Sequence, residues 1–268
     1  MSPTASAIPL EIVLATSNPH KVEELRAIMG RGGLEIPIIG LSDLPGHPFA
    51  EPRETGTTFE QNATIKALAY AGATGRICLA DDSGLEIDAL GGRPGVISSH
   101  YCTDGREEGM DRPTRDAANN ARVLRELEGV APEKRTARFV CVMVLARSGQ
   151  VLARARGTFE GRIGLAGNVP RGGNGFGYDP LFLAGPEFAV SSAELSAEQK
   201  NARSHRAAAA RRIAEQINAR ARALAAAAAT PQATLRGLWS AAQEMRQRIR
   251  NSKKSPDGTY RRPVPQGR

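Results

Sequence analysis

The chain has 268 residues, of which 41% are hydrophobic, 24% charged and only 4% aromatic, enough for one medium-sized core with an Ala/Gly lean. No stretch approaches the roughly 20 apolar residues that span a bilayer. Residues 1–9 lack a basic segment followed by an apolar run, so a secretory leader is not expected. The net charge of +8 is uneven: residues 220–268 hold 11 Lys and Arg against 2 Asp and Glu, leaving 25 basic and 26 acidic residues in the remainder. The body is close to neutral, so bulk electrostatics does not direct it to nucleic acid. Cys78, Cys102 and Cys141 lie far apart with no ligand-spaced histidine, which excludes a disulfide scaffold and a zinc ribbon and suits a reducing cytoplasm.

In chain order, residues 1–10 are Ser/Pro/Ala-rich and expected to be disordered. Residues 11–15 (EIVLA) read as a buried strand, followed by a helix to Met29 with Asn18 as N-cap and Pro19 at its first position. Thr58-Phe59-Glu60-Gln61 is a capping box that opens a helix to about Ala73. A strand is expected over 77–80, a turn at Asp81-Asp82-Ser83-Gly84, an extended piece over 85–90 and a break at 91–95. Residues 114–127 read as a helix, and 138–146 with 151–159 as a β pair around Ser148-Gly149. An irregular Gly-rich loop covers 172–177. One long helix is expected from about Ala197 into the Ala/Arg-rich 207–229, another over 233–249, and disorder over 250–268. Strands alternating with helices, plus one β pair, predict an α/β fold on a mixed sheet.

Five constellations carry possible chemistry. Thr16, Ser17, Asn18, Pro19, His20 and Lys21 form a strand-to-helix junction, where free N–H groups and the positive dipole end favour an anion; the plainer reading is a capped helix with a solvated lysine. Glu54-Thr55-Gly56 leads into a helix on which Asn62 and Lys66 share a face, a spacing that any surface helix also shows. Asp81-Asp82-Ser83-Gly84 places two carboxylates at a strand's carboxyl end, where a hard cation such as Mg²⁺ would relieve their repulsion; an Asp-rich turn is the alternative. Phe176, Gly177, Tyr178 and Asp179 put an aromatic between glycines, suited to stacking on a flat ring. Lys200 with His205 and Arg206 makes a donor-rich face on the last helix, or simply a solvated one.

Individually these signals are moderate, but their order is specific. S-N-P-H-K, E-T-G-x-T-F-x-x-N-A-x-x-K-A, A-D-D-S-G-L, L-G-G-x-P-G, F-G-Y-D-P and A-E-L…K-N-x-x-S-H-R, spread over residues 11–217, closely resemble the inosine/xanthosine triphosphate pyrophosphatase family. The resemblance implies a long mixed twisted β-sheet with flanking helices, two lobes around an active-site cleft, and a homodimer; the cysteine usage makes it an expected cytoplasmic one. It implies hydrolysis of ITP, dITP and XTP to the monophosphate and pyrophosphate, with one Mg²⁺ per subunit. Carried over, Thr16 to Lys21 and Lys66 would hold the triphosphate. Asp82 would bind the metal and act as base, with Asp81 and Glu54 supporting the metal. Ser83 would touch the substrate, and Phe176 to Asp179 with Lys200, His205 and Arg206 would form the base pocket. The sequence departs from the family pattern at His20 (usually Gly), Arg53 (often acidic) and His100 (usually Arg). The implied domain is residues 11–219, with 220–268 a basic extension that is partly helical and then disordered. Two rival functions are a pyrophosphatase for modified pyrimidine nucleotides and a nucleic-acid binding module using the basic tail.

Overall fold

The computed structural model describes residues 11–16, 19–185, 187–229 and Gln243. The disordered start, the Asn18 cap, the 233–249 helix and the disordered end expected from the sequence lie outside these residues. The chain divides into two compact units, Met1–Asn218 and Ala219–Arg268, and the sheet belongs to the first.

The apolar run forms β1 (Ile12–Leu14), fully buried, which leads into α1 (Pro19–Arg31) with proline at the first helical position, where its missing N–H costs nothing. β2 (Ile38–Gly40) follows and pairs parallel with β1. α2 (Phe59–Thr74) starts at Thr58, whose hydroxyl accepts from the Gln61 N–H at 3.2 Å. The reciprocal bond of the expected box is displaced by one residue: the Gln61 side-chain oxygen accepts from the Thr57 N–H at 2.7 Å.

The sequence misleads most at β3 (Ile77–Ile87). Asp81 to Gly84 form no turn; the strand runs unbroken, and its antiparallel register with β4 (Thr136–Arg147) sets Asp81 opposite Met143 and Gly84 opposite Val140. Asp-Ser-Gly is good turn chemistry locally, but a full ladder on a buried strand outweighs that preference. β4 and β5 (Gln150–Ile163) make the expected hairpin, longer than its sequence signal at both ends. With β6 (Phe182–Ala184) and β7 (Val190–Ser191) the sheet has the order β2-β1-β3-β4-β5-β6-β7, parallel around β1 and antiparallel from β3 onward. This is the expected mixed α/β sheet.

Alternation along the strands assigns the faces. Leu79 and Met143 pack towards α1 and the last helix, while Ala80 and Val142 pack towards α2. Beyond Gly84 the same long strands contribute Leu85, Ile87 and Phe139 to a further core with Val123 of α3 (Arg112–Glu126) and Phe182 of β6. Two lobes therefore share β3 to β5, and Asp81 to Ser83 lie where they meet.

The single helix expected from Ala197 is two helices, α4 (Ala197–Arg203) and α5 (His205–Ala229). Ser204 is extended (φ −65°, ψ 158°), and its hydroxyl accepts from the Ala207 N–H at 3.2 Å as a cap for α5. The break puts His205 and Arg206 in the first turn of α5. That turn lies close on β5 because residue 157 has no side chain: a Cβ there would collide with the His205 carbonyl oxygen and the Ala209 nitrogen. Gly157→Ala is therefore expected to destabilise the fold by about 2 kcal/mol or more in chemical denaturation. Gly30→Ala, inside α1 with open space around it, is expected to stabilise it by roughly 0.5–1 kcal/mol.

Candidate active site

Because adjacent residues of a strand project to opposite faces, Asp81 and Asp82 do not form one paired-carboxylate grip, contrary to the expectation from the sequence. Asp81 is fully surrounded by protein on the α1/α5 side. Its Oδ1 meets the Lys21 ammonium at 2.7 Å, and its Oδ2 is 3.7 Å from Arg206 Nε. Burial alone would raise its pKa, but Lys21, then Arg206 and Lys66, overcome this and hold it at about 2.

Asp82 faces α2. Its Oδ1 and Glu54 Oε2 both lie 3.1 Å from the Lys66 ammonium, while Asp82 Oδ2 is buried with no hydrogen-bond partner. Burial, reinforced by Glu54 and Asp81 and opposed by Lys66, pushes the Asp82 carboxyl up to about 6. Burial also works against the charge on Lys66, but Asp82, Asp81 and Glu54 outweigh it and raise its pKa. Asn62, expected to share a working face with Lys66, has a positioning task instead. Its side-chain oxygen accepts the Gly56 N–H at 2.8 Å and so fixes the loop that presents Glu54.

On the Asp81 face, Arg206 also donates to Ser83 Oγ at 3.0 Å. Beyond Ser83 opens a cavity of about 320 Å³, walled by Phe139, Phe176, Tyr178, Lys200 and His205 among others. The His205 ring stacks on Phe139, centroids 5.2 Å apart and planes 20° from parallel. Burial, then Arg206 and Lys200, push its pKa well below the ordinary histidine value, so it is neutral, and its Nδ1 is buried without a partner. A groove lined by Lys21, Glu24 and Arg206 adjoins this cavity, with Arg112 and Phe176 lining both.

The 176–179 loop is held from within. Asp179 accepts from Ser192 Oγ and the Phe176 N–H at 2.8 and 2.9 Å and pairs with Lys200. Both partners expected to touch the base thus have a structural bond already. The Tyr178 hydroxyl donates to the Ser98 carbonyl at 2.7 Å. Gly177 is clamped by α3: its N–H donates to Asp116 at 2.8 Å, and its carbonyl accepts from Asn120 at 3.1 Å.

Of the residues marked by the sequence, Ser83, Phe176, Gly177, Tyr178, Asp179, Lys200, His205 and Arg206 line the cavity and Lys21 lines the groove. Asp81 joins them through Lys21 and Arg206, while Glu54, Lys66 and Asp82 form their own cluster on the other face of the strand. Thr16 ends the β1 segment, with its N–H donating to the Leu14 carbonyl at 2.9 Å. Pro19 and His20 begin α1, and Ser17 and Asn18 fall outside the described residues. Sequence reasoning missed Arg112, Arg115 and Asp116 on α3, Glu24 on α1, and Phe139. The four-residue spacing of Arg112, Asp116 and Asn120 was readable, but nothing local says which object that helical stripe faces. Of the three unusual positions, His100 bridges Ser99 Oγ and Glu107 Oε2, each at 2.8 Å, with Arg115 Nη1 at 3.1 Å.

Among the described residues no group of three or more His, Cys, Asp or Glu is placed to hold a metal, so the expected Glu54–Asp81–Asp82 set is not assembled. Glu54 and Asp82 alone converge. Two carboxylates suit Mg²⁺, which commonly takes one or two from the protein and the rest from phosphate and water, and the orphaned Asp82 Oδ2 has the right chemistry for it.

The chain matches the Ham1 family over residues 12–216, nearly all of the first unit. It belongs to the Ham1 family. Relatives include the dITP/XTP pyrophosphatases of Nitratidesulfovibrio vulgaris, 52% identical over 76% of this chain and 94% of that one, and of Geobacillus kaustophilus, 45% identical over 77% and 93%. Solved Ham1 structures from Staphylococcus aureus and Coxiella burnetii share the fold, each with a TM-score of 0.65 over 78% of this chain, at 35% and 38% identity. Residues 220–268 lie beyond the Ham1 match. Among the described residues no helix is long and apolar enough to cross a membrane.

The two aspartates of this Ham1 chain are expected to part company in thermal unfolding at neutral pH without added divalent ion. Ionised Asp81 contributes stability that would be lost only as pH falls towards 2, so Asp81→Asn should cost about 2 kcal/mol or more. Ionised Asp82 opposes folding above pH 6, a penalty absent below about pH 4, but its loss also removes a charge that supports Lys66, so Asp82→Asn should cost less than Asp81→Asn.

Proposed function

We propose that the chain hydrolyses non-standard purine nucleoside triphosphates (ITP, dITP and XTP) to the monophosphate and pyrophosphate. The observation that carries this reading is the junction at Ser83 and Arg206, where a base-sized, donor-rich cavity meets the buried pairing of Asp81 with Arg206 and Lys21. A hydrolase for acid anhydrides needs both halves: a pocket that names the base, and charges that handle phosphate.

In this reading Lys21 and Lys66, with the 16–21 segment (Thr16, Ser17, Asn18, Pro19, His20), hold the triphosphate. Asp82, whose carboxyl is pushed up to about 6, takes the proton of the attacking water. Glu54 and Asp82 would hold one Mg²⁺, which when bound would neutralise charge on the phosphate oxygens. Asp81 takes no share of the metal; it keeps Lys21 and Arg206 in place across the strand. Phe176 offers a ring for stacking, 43% exposed, and Tyr178, Asp179 and Lys200 hold that loop. Ser83, His205 and Arg206 border the base edge. A 6-oxo purine presents an acceptor where adenine presents an amino donor, so the arginine and an imidazole N–H would reward hypoxanthine and xanthine and leave adenine unpaired. The activity is assigned to residues 11–219, acting as a homodimer, with 220–268 a separate extension.

Pyrophosphate release from ITP, XTP, GTP, ATP and dTTP tests the substrate class. ITP and XTP should lead, and preferential turnover of dTTP or a methylated pyrimidine nucleotide would overturn the assignment. Asp82→Asn should lower release from ITP by about 10²–10⁴-fold while the fold is retained, as removal of a general base does. Chelation of divalent ions should abolish release, and added Mg²⁺ should restore it.

A further inference from the structure

Arg112, at the first position of α3, lies outside the set of residues that sequence reasoning marked. Its guanidinium carbon lies 4.3 Å from the centroid of the Phe176 ring, the surface proposed for stacking, nearer than Lys200 Nζ at 5.2 Å and the Arg206 guanidinium carbon at 5.7 Å. The Arg112 side chain is 52% exposed, so packing does not lock it there. Asp116, one turn on, holds its Nε loosely at 3.8 Å while accepting the Gly177 N–H with the same oxygen. Arg112 and Phe176 line both the base cavity and the groove in which Lys21 and Arg206 stand. Two physical points argue against a purely structural role. A cation in the first turn of a helix opposes the helix dipole. A guanidinium lying on an aromatic face also keeps a flat ligand off that face.

We propose that Arg112 is a further substrate-binding residue, which covers Phe176 until a base displaces it and then turns into the groove to bind the nucleotide's phosphate chain. The proposal rests on the reading that a purine nucleoside triphosphate binds here. It couples the two halves of the ligand. A base entering the cavity gives up the cation–π contact of Arg112 with Phe176, and a new contact with the phosphates compensates. A nucleoside without phosphates loses the first contact and gains nothing.

Steady-state pyrophosphate release from ITP and competitive inhibition by inosine, measured on the full chain, separate the roles. Arg112→Ala should raise KM for ITP about tenfold with a smaller change in kcat, and should tighten inosine inhibition about two- to fivefold. Arg112→Lys, which keeps the charge, should hold KM within about threefold of the parent value. A residue that only shapes the pocket would move both ligands in the same direction. Weakening of both, tightening of both, or no change in either one overturns the proposal. If the parent chain releases no pyrophosphate from ITP, the functional reading itself fails, which is a distinct result.

Discussion

The site depends on one strand that refuses to turn. Asp81 and Asp82 stand next to each other in a continuous, buried β3, so their carboxylates leave on opposite sides of the sheet. Neither is paired directly with the other's cations. Cations must therefore come from both layers: Lys21 of α1 and Arg206 of α5 on one side, and Lys66 of α2 on the other. The helices around the sheet are thus held by charge as well as by apolar packing. The balance differs between the sides. Asp81, with two cations close by, is kept ionised, whereas Asp82 shares its one lysine with Glu54 and retains an unpartnered oxygen. Asp81 is the settled charge of the two and Asp82 the strained one.

The cavity beside this cluster is built by saturation. Every polar group of the 176–179 loop described above has a bond within the protein: Asp179 to Ser192, Lys200 and the Phe176 N–H, Tyr178 to Ser98, and Gly177 to Asp116 and Asn120. These bonds leave the Phe176 ring as the exposed feature of a loop whose backbone is pinned. A binding surface that is rigid before the ligand arrives loses less entropy on association. α3 has a larger share in this than its place in the chain implies. It clamps Gly177, and through Asn119 it also holds the Ser99 carbonyl and the Cys102 N–H, at 3.1 and 2.7 Å, so one helix fixes two walls of the cavity.

Close approach of backbone to backbone is the other constraint. His205 and Arg206 reach the cavity because α5 begins at Ser204 and because Gly157 on β5 leaves room for its first turn. Residue 84 matters for the same reason at the cavity floor, where a Cβ would meet Ser98 Oγ and the Gly95 carbonyl. Neither glycine needs an unusual backbone conformation there. Each is required by what packs over it.

The sequence by itself determined the class of fold, the hairpin around Ser148-Gly149 and the start of α2 at Thr58, because apolar periodicity, turn residues and caps are local signals. It also determined which residue types gather at the site, since the ordered motifs from S-N-P-H-K to S-H-R carry the family signature. Tertiary structure decided the rest. It turned an expected Asp-Asp-Ser-Gly turn into the middle of β3, because a ladder with β4 offers more than local turn chemistry does. It split one helix at Ser204 to lay His205 against Phe139. It brought Arg112, Asp116 and Asn120 to Phe176 and Gly177, contacts between residues about 60 positions apart. No local pattern encodes such meetings; they exist because long strands carry two lobes to a common edge, and only the folded chain fixes where that edge lies.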